Sequence, residues 1–446
     1  MKQIAGHPYW ELTFDKAGTL NSPAQGSFLD DVAGQQITNL FVFSHGWGTG
    51  EQHARTFYAR MFPLIATAAA EAGLGGIGFA GVFWPSLWFP DPPAEAAAHV
   101  SEQVQADRPG AADTVLTGKE IAQTLQASFA VAQHAAIERL GTLIDEGTAG
   151  VNVEPDTVQQ QRLDEFHALV GDLFSTGRQP AEDAGEESLL FARDPKAAYA
   201  KISDIVGSAP AGGSAQGLGD FFGKVWHGAK DTLRVGSYFE MKGRAGDVGR
   251  NGLGPLLEHL HQRVPANRVH LAGHSFGARL VSFALKGISS PAASPVASLS
   301  LIQAAFSHYS FSRLQDMPFG SAGALNGFAD RVHGPLTSTF TPHDWAVGRW
   351  YPKASFLARE DAQAKDVPPV TRWGGLGADG FQAVAPAHAL DLLPHGSPYP
   401  LAAGVYYRVD ATGTIADTGQ SSFSGAHSDI EHPEVAWLIA AAAAAA

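Results

Sequence analysis

Residues Val269-His270-Leu271-Ala272-Gly273-His274-Ser275-Phe276-Gly277 form an apolar run that stops at a serine between two glycines and continues straight into Ala278-Arg279-Leu280-Val281-Ser282. A chain written this way has to pass from a buried strand into a helix across a single residue. The residue at such a reversal takes a strained, tightly turned backbone conformation, and Gly273 and Gly277 present no Cβ to crowd it. The Gly-x-Ser-x-Gly spacing therefore predicts a nucleophile elbow. In it the Ser275 hydroxyl projects from the strand end, and the N–H of Phe276 opens a helix aimed at the same point.

The pentapeptide alone is common, so its surroundings carry the reading. Asn39-Leu40-Phe41-Val42-Phe43-Ser44 and Ile77-Gly78-Phe79-Ala80-Gly81-Val82-Phe83-Trp84 are short apolar runs of the kind that parallel strands show when both faces are buried. Between them, Phe57, Met61, Leu64, Ile65 and Ala68 recur at helical spacing over Glu51 to Ala72, with a kink expected at Pro63. Strand, helix, strand is a crossover unit. The rhythm returns as a helix over Leu253 to Arg263, a strand over Val269 to His274 and a helix over Phe276 to Lys286. Further strands are expected at Ala297 to Ala305, Leu336 to Thr341 and Gly404 to Val409, with a last helix opening at Pro433. The pattern is that of an α/β fold with a mostly parallel, doubly wound sheet.

One segment breaks the rhythm. Residues 87–235 are rich in Ala, Gln and acidic side chains, with helical patterning at Thr117 to Ile144, Val158 to Phe174 and Asp220 to Leu233. Thr117-Gly118-Lys119-Glu120 has the spacing of a capping box, which marks a helix start. Ala149 to Pro155 and Ser208 to Gly219 read as loops. The expected organisation is a first part of an α/β core at 1–86, a mainly helical insertion at 87–235, and a second part of the core with the elbow at 236–446. The insertion carries 22 acidic and 11 basic side chains, −11 of the chain's net −14. Such a field repels phosphate backbones and anionic headgroups, so neither nucleic acid nor an anionic membrane is an expected partner.

With 446 residues, 45% of them hydrophobic, the chain can bury a sizeable core. It has no cysteine, which removes disulfides, thiolate metal sites and cysteine nucleophiles. No run approaches the roughly 18 to 20 apolar residues needed to span a bilayer, and the expected location is cytoplasmic.

A serine hydroxyl is a poor nucleophile until a base takes its proton, so the elbow predicts a histidine and, behind it, a carboxylate. In this architecture the order along the chain is serine, acid, histidine. Asp344 follows the strand that Pro342 stops, and it is placed on the edge where open α/β sheets bind ligands. Asp330 precedes that strand and falls at the opposite edge. Seven histidines follow Ser275. Of these, His427 lies on the loop between the last strand and the last helix, whereas His432 directly precedes Pro433 and reads as a helix-start residue. His388 and His395 sit in a Pro-rich stretch. The second oxyanion donor is expected from His45-Gly46-Trp47, where Gly46 lets the backbone turn inward, and is assigned to the N–H of Trp47 beside that of Phe276.

Ser44-His45-Gly46-Trp47, Gly273-His274-Ser275-Phe276-Gly277, Asp344 and His427, in that order and each after an expected strand, resemble the α/β-hydrolase superfamily of serine hydrolases, lipases and esterases included. The resemblance covers 1–86 and 236–446. It implies a catalytic triad of Ser275 as nucleophile, Asp344 as acid and His427 as general base, with Trp47 and Phe276 lending the oxyanion donors. In one respect the chain departs from the pattern. Its large insertion precedes the elbow, where many such enzymes place their cap after the strand that follows it.

Other signals fail. Gly73-Leu74-Gly75-Gly76-Ile77-Gly78 has dinucleotide-loop spacing but follows a helix and precedes a strand, so it reads as a turn. His259 and His261 lie two apart on a helix and point to different faces, and neither a metal site nor a cofactor is expected. The expected function is hydrolysis of an apolar, neutral carboxylic ester through an acyl-enzyme, with Trp84, Trp88, Phe89 and Trp345 near the mouth and the insertion as a cap. An amidase, peptidase or acyltransferase with the same triad, or a catalytically silent binding module on this fold, stays open at this point. So does the oligomeric state.

Overall fold

Ten strands form one sheet: β1 (Lys2–Ile4), β2 (His7–Phe14), β3 (Leu20–Ser22), β4 (Asn39–Ser44), β5 (Ile77–Phe83), β6 (Arg268–His274), β7 (Val296–Ile302), β8 (Leu336–Phe340), β9 (Ala387–Asp391) and β10 (Tyr406–Asp410). This computed structural model describes residues 2–86, 117–126, 129, 131–174, 196, 199, 218–317, 322–350, 374–417 and 425–446. The sheet order is β1-β2-β5-β4-β6-β7-β8-β10-β9, with β3 beside β2. Every pairing is parallel except those of β2 with β1 and β3. The protein is thus α/β with a mixed, mostly parallel sheet.

β4, β5 and β7 bury every side chain they carry, which is why they read as continuous apolar runs. The alternation along β4 sorts the two faces. Leu40 and Val42 join the core shared with Phe28, Leu280 and Phe283, while Phe41 and Phe43 join the core shared with Tyr58, Phe62 and Ile439. Helices α1 (Gln25–Gly34), α7 (Gly254–Arg263) and α8 (Phe276–Ala284) therefore cover one face. The other is covered by α2 (Glu51–Glu71) and, after the short α9 (Leu376–Asp379), by the final helix, α10 (Pro433–Ala444). Pro63 sits inside α2 without ending it. An interior proline costs about 3 kcal/mol. The burial of Tyr58, Met61, Phe62 and Ile65 in the same helix outweighs this at roughly 1.5–3 kcal/mol for each large apolar side chain.

In the expected insertion lie α3 (Gly118–Gln126), α4 (His134–Gly150), α5 (Asp156–Phe174) and the start of α6 (Leu218–Val248). The capping box is present: Glu120 Oε2 accepts from Thr117 N at 2.7 Å, and Thr117 Oγ1 accepts from Glu120 N at 3.2 Å. The helix expected over Thr117 to Ile144 is two helices, because the chain turns through a short 3₁₀ segment at Val131–Gln133 before α4. Helix α6 is longer than Asp220 to Leu233 and runs unbroken through positions 235 and 236. Its last turns pack on α8, where a Cβ on Gly246 would lie 3.2 Å from the Phe283 ring. The loop expected at Ser208 to Gly219 lies outside the described residues up to 217.

The chain runs outward from β4 to β5 on one side and, after α7, from β6 to β7 on the other. β4 and β6 are neighbours, so the sheet order reverses between them. Loops leaving the carboxyl ends of two such strands diverge, and the crevice they open is where open α/β sheets place their ligands. Ser44 ends β4 and His274 ends β6. No helix among the described residues is long and apolar enough to cross a membrane.

Candidate active site

Ser275 stands between β6 and α8 with φ 55° and ψ −124°. A non-glycine residue at positive φ is strained, and here the strain is held by backbone on both sides. Ser275 N donates to Ile302 O at 3.2 Å, and Ser275 O accepts from Ala305 N at 3.3 Å and Ala278 N at 3.1 Å. A Cβ at Gly277 would collide with the carbonyl oxygens of Ser44 and His45. Glycine there lets α8 begin directly against the end of β4. Phe276, buried, is the first residue of that helix, so its N–H points out of the helix N-terminus.

The loop after β4 lies on Ser275. A Cβ on Gly46 would sit 2.9 Å from Ser275 Cβ and 3.1 Å from His274 Nδ1. Hydrogen bonds hold this loop in place. Tyr58 Oη accepts from His45 N at 3.0 Å and donates to Val82 O at 2.7 Å. Trp84 Nε1 donates to His45 O at 3.1 Å. Gly48 N donates to Ser86 O at 2.9 Å, and Ser86 Oγ donates to Thr49 O at 2.7 Å. The His45 ring stacks on Trp84, centroids 5.8 Å apart, and its Nδ1 donates to Gly46 O at 2.9 Å. Burial pushes the His45 imidazole down to about 4, so it is neutral at pH 7. The Trp47 ring packs 6.1 Å from that of Phe276, which brings the two expected oxyanion residues together.

Asp344 and His427 meet although 83 residues separate them: His427 Nδ1 lies 2.7 Å from Asp344 Oδ2. Both are buried. Their loops are joined through the backbone, since Ala426 N donates to His343 O at 2.9 Å and Asp344 bridges to Gly425. A carboxylate can only accept, so Nδ1 carries the proton and the lone pair of His427 is on Nε2. Val347 N donates to the other oxygen, Asp344 Oδ1, at 2.9 Å. The residue just before Ser275 supplies the link to it. His274 Nε2 donates to His427 O at 2.9 Å, and the two rings lie 4.8 Å apart. Burial first, then the neighbouring His427 and His45, hold the His274 imidazole down at about 3, against the hydrogen bond to His427 O.

The competing residues lie elsewhere. Asp330 is exposed before β8 and pairs with Arg331 at 2.8 Å. His432 precedes α10 and contacts Asp429 at 2.8 Å. His395 pairs with Glu71 at 2.7 Å, and His388 is on the exposed edge strand β9. Trp84, expected near the mouth, is buried beneath the loop after β4, its indole N–H donating to His45 O and its ring stacked on the imidazole. Trp345 is half-buried against the His427 loop, where a Cβ on Gly425 would come within 2.9 Å of its ring. Trp88 and Phe89 lie outside the described residues.

Two residues of the site escaped the sequence reading. His274 occupies a position that the pentapeptide leaves unspecified, and Gln303 lies within the run expected as a strand at Ala297 to Ala305. Gln303 is fully buried at positive φ and donates from Nε2 to Asp344 Oδ2 at 3.0 Å. A polar, non-β-branched residue closing an apolar strand was its one available signal. Among the described residues no group of three or more His, Asp and Glu side chains is arranged to hold a metal ion. No family model, curated protein or solved structure matches this chain.

Proposed function

We propose that the protein is a serine hydrolase of the α/β-hydrolase type that cleaves carboxylic esters. The observation that carries the reading is the 2.7 Å contact of His427 with Asp344, tied through His274 to a serine held at positive φ. The reversal of strand order between β4 and β6, with a helix opening at Phe276, supports the fold assignment.

In this mechanism Ser275 Oγ attacks the ester carbonyl carbon as His427 Nε2 takes the hydroxyl proton, and the carbonyl π electrons move to the oxygen. The N–H groups of Trp47 and Phe276 receive the oxyanion. Collapse breaks the bond to the alkoxy oxygen, which leaves as alcohol with the proton from His427. Water, deprotonated by the same nitrogen, then releases the acid and restores Ser275. Asp344 stays ionised and stabilises the imidazolium that forms twice per turnover.

The substrate side of the proposal is an apolar, neutral ester, since the insertion's −11 charge disfavours anionic molecules. A cytoplasmic setting belongs to the same proposal. A fluorophosphonate probe tests the core of it: a covalent adduct on Ser275, lost in S275A, is the expected result. Wild-type protein left unlabelled would overturn the reading.

A further inference from the structure

The loop that follows β7 touches both the nucleophile and the acid. Ile302 O and Ala305 N hold the two backbone groups of Ser275. Between them, Gln303 turns through φ 45° and sends its side chain to Asp344. The amide orientation is fixed by its partners. Nε2 faces Asp344 Oδ2 at 3.0 Å and Gly377 O at 3.1 Å, both of which can only accept. Oε1 accepts from Thr339 Oγ1 at 3.0 Å, and that hydroxyl accepts in turn from Gln303 N at 3.0 Å. A flipped amide would set its oxygen against a carboxylate and a carbonyl, so one orientation alone satisfies the network. Asp344 Oδ2 consequently takes donors from Gln303 and His427, while Oδ1 takes one from Val347. With both oxygens held, the carboxylate cannot rotate away from the imidazole.

We propose that Gln303 is a positioning residue of the reaction, setting the Asp344 carboxylate, and through it His427, in the same loop that fixes Ser275. This rests on the serine-hydrolase reading above. Gln303 has a second, electrostatic consequence. Its amide N–H places partial positive charge beside Oδ2, which tempers the pull of the carboxylate on the imidazolium. Removing that donor makes His427 more basic, so the rate, which needs neutral His427, reaches its plateau at higher pH. His274 also lies against the His427 ring and is neutral over the working range.

The test uses hydrolysis of p-nitrophenyl butyrate and fluorophosphonate labelling by wild type, Q303M, D344N and the double variant. Q303M is expected to lose about 10- to 100-fold in kcat with KM little changed, the scale of one hydrogen bond to a charged group. Its acid limb should move to higher pH. In the D344N background the same change should add less than about 3-fold, because Gln303 acts through the carboxylate. If Q303M does not fold, judged by its urea unfolding transition, T339V carries the test: it frees the amide to turn and should give a smaller loss with the same direction of pH shift. An unmoved acid limb in the folded variant, or an undiminished loss in the D344N background, overturns the role of Gln303. Failure of wild type to label overturns the hydrolase reading itself, so the two failures are distinguishable.

Discussion

His274 Nε2 donates to the main-chain carbonyl of His427 across 2.9 Å, so the residue before the nucleophile holds the backbone of the base. It does so as a neutral imidazole, held down at about 3, and His45 on the other side of the nucleophile is held at about 4. Neither changes charge between pH 5 and 8. The acid limb of kcat/KM in that window is therefore expected to follow a single ionisation, with the rate rising as pH rises because the base acts deprotonated. A limb that needs two protons would show that His274 or His45 titrates with it.

Removing either member of the buried pair should abolish turnover. D344N and H427A are each expected to lose about 10⁴-fold in kcat, the cost of misorienting or losing the base. D330N and H432A should stay within about 2-fold of wild type, since Asp330 is exposed against Arg331 and His432 contacts Asp429. Steady-state kinetics on one ester ranks all four. A dead D330N variant would place the acid at the wrong edge of the sheet.

Gly46 offers a test of the oxyanion loop. An added methyl would lie 2.9 Å from Ser275 Cβ, closer than the two carbons can pack, so the loop must lift and carry the Trp47 N–H with it. G46A is expected to reduce kcat by about 10²-fold, the scale of one lost oxyanion donor, while its urea midpoint changes little. A kcat near wild type would remove Trp47 from the reaction.

What the sequence disclosed follows from burial. β4, β5 and β7 were legible because parallel strands covered on both faces must be apolar throughout. β9, exposed at Ala387, His388, Ala389 and Asp391 with Leu390 half-buried, had no such signal. β2 went unread although its burial alternates from Trp10 to Phe14; the pattern is period two, with Pro8 near its start, and does not resemble the apolar runs of the central strands. The elbow could be read because strain at Ser275 demands small neighbours at fixed offsets. Asp344 and His427 could be ordered along the chain, but their contact depends on two loops that the sequence cannot bring together. Gln303 left no pattern, because a partner chosen by three-dimensional proximity has no characteristic spacing.

His270 predicts an acid limit to stability. Buried between Ser298 Oγ at 3.0 Å and Asn39 Oδ1 at 3.1 Å, it is pushed down to about 3 by burial, with Arg268 adding to the shift. Its folded value lies below the unfolded one of about 6.5, so the unfolded chain binds the proton first. The stabilisation is complete above that value and is lost as pH falls towards the folded one. At pH 5 the loss from such a histidine is about 2 kcal/mol. The urea midpoint should fall from pH 7 to pH 5, and H270Q should show a smaller fall. An equal fall in both would mean that His270 already titrates in the folded protein.

The last prediction concerns the place where the proposed insertion leaves and rejoins the core. Arg244, buried on α6, donates from Nη1 to Pro85 O at 3.0 Å and contacts Glu240 at 3.3 Å. Pro85 follows Trp84 and precedes Ser86, the residue that holds Gly48 and Thr49 of the oxyanion loop. Burial alone lowers the Arg244 guanidinium from its usual range, while Glu240 opposes the shift. The side chain thus fastens α6 to the segment just after β5, next to the residue that holds the loop following β4. R244M keeps the apolar stem but leaves Pro85 O without this donor, and should cost about 1–3 kcal/mol in urea unfolding. On the proposal that the insertion covers the active-site edge, R244M should also change the ratio of kcat/KM between octanoate and acetate p-nitrophenyl esters. A destabilised variant with an unchanged ratio would show that the insertion steadies the fold without shaping the entrance.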